Sequence, residues 1–61
     1  MTNSIQGKRV AITSTDNPFA RRHIGKRGVV TNTAPLGMVS ITLDEDGSEY
    51  WAETRNIRVV A

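Results

Sequence analysis

Two glycines set three apart, a Lys-Arg pair between them and a β-branched run behind, limit this chain more than any other feature. They lie in His23 to Val30, read H-I-G-K-R-G-V-V. Glycine tolerates positive φ, so Gly25 and Gly28 mark a tight, bent entrance to a strand. A side chain at either position is expected to collide with neighbouring backbone. Upstream, Gly7-Lys8-Arg9-Val10-Ala11-Ile12 reads as a first strand, and downstream the chain alternates like a curled sheet. The pattern predicts a small β-barrel.

The rest of the chain supplies four more strands. Lys8 to Ser14 alternates, with Val10 and Ile12 on one face. Thr15-Asp16-Asn17-Pro18 is dense in turn formers and opens a long excursion, Thr15 to Arg27, that carries Phe19 and a basic cluster. Loops of that length in small domains are more often functional than incidental. Gly28 to Thr33 is the second strand, with Val30 inward, and Ala34-Pro35-Leu36-Gly37 is a turn. Met38 to Asp44 puts Val39, Ile41 and Leu43 on one face and Ser40 and Thr42 on the other. Asp44-Glu45-Asp46-Gly47 is an acidic hairpin turn, Ser48 to Glu53 a fourth strand, Thr54-Arg55-Asn56 a single 3₁₀ turn, and Ile57 to Val60 a closing strand. No segment holds a helical period.

At 61 residues the chain is one domain, with residues 1–6 as a flexible lead-in and 7–61 as the barrel. Burial contributes about 88 kcal/mol against about 92 kcal/mol of ordering, so the fold is marginal and a partner or a second copy would help it. The expected state is a monomer or weak homodimer. There is no cysteine, hence no disulfide and no thiolate metal site. No apolar run reaches membrane-span length and the first residues lack a signal peptide's pattern, so a whole, cytoplasmic gene product is expected. Net charge is only +2, but its distribution is uneven. Lys8, Arg9, Arg21, Arg22, Lys26 and Arg27 face one acid, Asp16, in the first half, whereas Asp44 to Glu53 holds five acids and no cation. The chain is a charge dipole in sequence, and one is expected in space.

Five short strands, one long first loop and tight later turns describe a Src-homology-3-like (SH3-like) barrel. The pattern G-x-x-V-x-I, then G-K-x-G-x-V, resembles the KOW motif of ribosomal proteins and NusG-type transcription factors. Here it is carried by Gly7, Val10, Ile12, Gly25, Lys26, Gly28 and Val30. The later V-x-I-x-L-D-x-D-G and the closing N-I-x-V-V resemble the rest of such a barrel, so the similarity covers Gly7 to Val60. The small photosystem I subunit IV and several phage or plasmid proteins are similar in the same way. The chain departs from KOW in its longer first loop, where Arg21-Arg22-His23 replaces a more compact turn. The resemblance implies an all-β, five-stranded barrel, and a superfold by itself carries no function.

Catalysis has little to work with. One histidine, no cysteine and scattered serines do not supply a nucleophile, a base and an orienting group, and a barrel this narrow encloses no pocket. No enzyme activity and no cofactor are expected. His23 reads as a solvated loop histidine. The acidic turn with Glu49 lacks EF-hand spacing and reads as solvated, not as a metal site.

Two function classes remain. In the first, a nucleic-acid-binding barrel, Arg21, Arg22, Lys26 and Arg27 contact phosphates, Lys8 and Arg9 support them, and Phe19 stacks on a base. The alternative for Phe19 is a ring folded back over one end of the barrel. The alternative for the basic loop is a solvated loop that balances the acidic turn. In the second class the protein is an interaction, assembly or regulatory module, docking an acidic partner through the same loop. Trp51 would then anchor the interface, two copies of the chain included. Tyr50 and Trp51 point to opposite faces, and Trp51, sharing its face with Glu49 and Glu53, is the exposed one. The nucleic-acid class is placed first because the glycine pattern and the basic loop coincide.

Overall fold

The computed structural model describes residues 5–60. They form five antiparallel strands: β1 (Arg9–Ile12), β2 (Arg27–Ala34), β3 (Met38–Leu43), β4 (Glu49–Glu53) and β5 (Ile57–Val59). Short 3₁₀ segments lie at Pro18–His23, Pro35–Gly37 and Thr54–Asn56. The all-β class and the five strands agree with the sequence reading, and the sheet runs β4-β3-β2-β1-β5. Among the described residues no ladder joins β4 to β5, so the sheet is not closed and its two outer strands are edges.

Alternation decides which face is buried. Val10, Ile12, Val30, Val39, Ile41 and Leu43 are all at most 2% exposed and share one face, with Ala52 beside them and Ile5, Tyr50 and Ile57 at the rim. Five of these seven core side chains are β-branched valine or isoleucine, whose stiff side chains pack well on a pleated surface. The core is thin, so each member carries a large share of the burial energy.

The two organising glycines serve different ends. Gly25 has φ +93° and open space around its α-carbon, so backbone conformation alone selects glycine there. Gly28 has an ordinary strand conformation but no room: an added Cβ would lie 2.3 Å from the Thr42 carbonyl oxygen and 2.7 Å from Ile41 Cγ2. The expectation of positive φ at both, and of a clash at both, is therefore split between them.

Three expectations are corrected locally. β1 ends at Ile12, because Thr13 and Ser14 turn their amides to the Asn56 carbonyl instead of continuing the ladder. The excursion is not irregular: Pro18–His23 is helical, and Arg27 already belongs to β2. Ser40, expected on the face opposite Val39, Ile41 and Leu43, is fully buried there, which the alternation alone does not indicate. A register shift between Val30 and Asn32 brings the Thr31 hydroxyl to Ser40, and the Ser40 hydroxyl donates to the Glu49 carboxylate. Residues 1–4 of the anticipated lead-in lie outside the described residues. Ile5 packs on the core rim, and the Gln6 amide donates to the Thr31 carbonyl.

Candidate functional site

The long excursion is fastened at both ends. Pro18 occupies the first turn of its 3₁₀ segment, where a missing N–H costs nothing, and Asn17 Oδ1 accepts the Phe19 amide at 2.9 Å. On the near side, Ser14 Oγ donates to Asn56 Oδ1 at 2.8 Å, and Arg55 pairs with Asp16. On the far side, the Gly25 amide donates to the Ile12 carbonyl at 2.8 Å and the Lys26 amide to His23 at 3.0 Å. His23 closes the middle, its ring centroid 4.8 Å from that of Tyr50. It is half-buried, and its Nδ1 is buried with no hydrogen-bond partner among the described residues. The reading of His23 as a solvated loop residue is therefore corrected: it packs the excursion onto β4.

This fastening sets out the side chains beyond it. Phe19 is 83% exposed and is not folded back over the sheet. Arg21 and Arg22 stand exposed on the same short segment, Arg22 Nη1 donating to the Phe19 carbonyl at 3.1 Å. Neither forms an ion pair among the described residues. Arg27 is exposed on the outer face of β2, and Lys8 is exposed just ahead of β1.

The other two cations of the anticipated set are engaged. Arg9 binds Asp44 through both terminal guanidinium nitrogens, Nη1 and Nη2, and Lys26 reaches Glu45 at 3.1 Å. The hairpin turn between β3 and β4 thus sits against the basic segments, and the expected spatial dipole is partly cancelled. These pairs are solvent-exposed and worth about 0–1 kcal/mol each. Their greater effect is to reduce the positive charge presented to a ligand.

Trp51 is exposed and lines an open cleft of about 170 Å³ with Tyr50, Asp16, Asn17, Ala20 and Asn56. Its flanking acids are both occupied, Glu53 by Arg55 Nε at 3.1 Å and Glu49 by Ser40. The hydrogen bond from Arg55 holds the Asp16 carboxyl below its ordinary pKa, and the same pair holds Arg55 above its own. In the acidic turn, Asp46 Oδ1 accepts the Ser48 hydroxyl at 2.7 Å and its amide at 2.9 Å, which lowers the Asp46 pKa. Among the described residues no three His, Asp or Glu side chains converge on a point that could hold a metal ion.

One cation escaped the sequence reading. Arg58, exposed on β5, faces away from the core side of that strand and has no ion-pair partner among the described residues. Its signal was the alternation I-R-V, which sets Arg58 opposite Ile57 and Val59. The pairing of β5 with β1, which gives that position its neighbours, has no short-range signal. No helix among the described residues is long and apolar enough to cross a membrane. Comparison with protein-family models, curated proteins and solved structures finds no match to this chain.

Proposed function

We propose that this chain is a non-enzymatic nucleic-acid-binding domain of the SH3-like, KOW-like kind, using its basic excursion as the contact surface. The supporting observation is Phe19, 83% exposed on a capped and anchored 3₁₀ segment, with the unpaired Arg21 and Arg22 two and three residues away. An exposed ring costs hydrophobic free energy unless it meets a partner, and a base offers it a π-face while guanidinium forks take the adjacent phosphates. Lys8 and Arg27 add two further unpaired cations. Arg9 and Lys26 contribute less than the sequence implied, since each must leave an acid first. The strand order, and the 3₁₀ turn between β4 and β5, support the SH3-like assignment.

The test is a titration with a mixed-sequence single strand at about 50 and about 200 mM salt, read by amide chemical shifts and Trp51 fluorescence. Four phosphate contacts give a single-strand salt slope of about −2.8, or roughly 50-fold weakening across that range. Shifts should centre on Phe19 to Arg27. No shift at the lower salt would refute the proposal.

A second reading, protein docking, is favoured by the cleft at Trp51. It predicts that Trp51→Ala disrupts the complex more than Arg21→Ala, the reverse of the first.

A further inference from the structure

The register of the three strands β2, β1 and β5 puts two arginines on either side of one small residue. Ala11 pairs with Arg27 of β2 and with Arg58 of β5. All three occupy the face opposite the core, because Val10 and Ile12, the neighbours of Ala11, are buried. The hydrogen bonds fix the spacing further. The Ile12 amide donates to the Lys26 carbonyl and the Val30 amide to Lys8, so Ala11 and Arg27 form the closer, non-hydrogen-bonded kind of pair. The Val60 amide donates to Arg9 and the Thr13 amide to Asn56, so Ala11 and Arg58 form the wider kind. The two arginines are therefore about 10 Å apart at Cα, with only a methyl group between them.

We infer that this row is a second phosphate-binding element, in which Arg27 and Arg58 hold neighbouring phosphates of one extended nucleic-acid strand as it crosses the sheet over Ala11. The inference rests on the proposed function and deepens it, since it makes the site a track running from the excursion onto the sheet. Continuity supports it: the row lies at the base of the excursion, beside the Gly25 amide bond to the Ile12 carbonyl. The nearby acids are already paired. The adjoining acid is Asp44, bound by Arg9, and Glu45 beyond it is bound by Lys26. Around the row the outer face carries Arg9, Val29 and Val60, the last two half-buried, and among the described residues it has no exposed ring that would anchor a protein partner. Two guanidinium groups about 10 Å apart at Cα are what the face offers, and a strand backbone fits that.

The test compares salt slopes for the same single strand. With Arg58 included, five contacts give a slope of about −3.5, and roughly 130-fold weakening between 50 and 200 mM salt. Arg58→Gln should bring the slope to about −2.8, and Arg58→Lys should restore it. Ala11→Glu, which sets a carboxylate between the arginines, should weaken binding at 50 mM salt at least tenfold. Because Ala11 is half-buried, Arg58→Glu at the exposed position is a second variant with the same expectation, and the far-ultraviolet spectrum and Trp51 emission report that each is folded. Wild-type binding with an unchanged slope in Arg58→Gln and unchanged affinity in folded Arg58→Glu overturns the row while leaving the excursion's role intact. A wild-type protein that binds no strand at the lower salt overturns both.

Discussion

Substituting the two organising glycines separates a steric requirement from a conformational one. Alanine at Gly28 brings its Cβ to 2.3 Å from the Thr42 carbonyl oxygen, backbone that cannot rotate away. Ordinary carbon–oxygen contacts lie near 3.3–3.6 Å, so β2 and β3 must part by about 1 Å. That displacement falls on the pairs Gly28↔Leu43, Val29↔Thr42 and Val30↔Ile41, at the centre of the sheet. Overpacking of this kind costs about 1–3 kcal/mol and more when backbone must move. A chain of this length has about 3–9 kcal/mol in total, so at about 3 kcal/mol Gly28→Ala should remove a third of its stability or more. Gly25→Ala meets no neighbouring atom and pays only for a left-handed backbone, about 1–2 kcal/mol. Asparagine sharpens the contrast, because it accepts positive φ but is larger. Gly25→Asn should be milder than Gly25→Ala, and Gly28→Asn worse than Gly28→Ala. Urea unfolding followed by Trp51 emission reads both series. With a slope near 1 kcal/mol per molar, Gly28→Ala shifts the midpoint by about 3 M or leaves no folded baseline. A Gly28→Ala midpoint within about 0.5 M of wild type, or above that of Gly25→Ala, would refute the close-approach argument.

Leu36 sits at φ +68° in the turn after Pro35, 97% exposed, where glycine is the favoured residue. Leu36→Gly should therefore stabilise the protein by up to about 1 kcal/mol, seen as a rise of about 4–8 °C in Tm. Asp16 contributes stability through Arg55 above its unfolded-state pKa near 3.9, since its folded pKa is lower, and loses it as pH falls through the folded value. Asp16→Asn and wild type should accordingly differ in urea midpoint above pH 4 and converge once pH has fallen below the lowered folded value. Asn17→Ala removes the acceptor for the Phe19 amide, at a cost of about 1 kcal/mol confined to the excursion. Hydrogen exchange should speed at Phe19 and leave the Ile41 amide unchanged.

What the sequence made legible follows from the period of two. Val10, Ile12, Val30, Val39, Ile41 and Leu43 were readable as core because each strand alternates against one buried face. The turn Thr54–Asn56 and the exposure of Trp51 were legible for similar local reasons. Ser40 was not, because its burial depends on the register shift at Thr31 and on Glu49 arriving from the neighbouring strand. His23 was misread because its partner, Tyr50, is distant in sequence. The helical form of Pro18–His23 was missed although Asn17-Pro18 is an N-terminal cap signal. A single 3₁₀ stretch offers too few residues for a period to appear.

The same long-range pairing governs the charge available to a ligand. Of eight cations, Arg9, Lys26 and Arg55 bind Asp44, Glu45, Asp16 and Glu53, four of the six acids. The other two acids, Asp46 and Glu49, accept from Ser48 and Ser40. Lys8, Arg21, Arg22, Arg27 and Arg58 are left exposed, on the excursion and on the strands β2, β1 and β5 or just ahead of them. By drawing the acidic turn onto Arg9 and Lys26, the ion pairs set negative charge beside the basic segments and leave the positive field to the five cations without an acid partner. A net charge of +2 averaged over the chain does not describe its distribution, because the exposed cations without an acid partner carry the field an approaching polyanion meets. Under the proposed function, that partition makes a weakly basic composition compatible with salt-sensitive binding, through Arg21 and Arg22 on the excursion and through Arg27 and Arg58, which the sheet register sets beside Ala11.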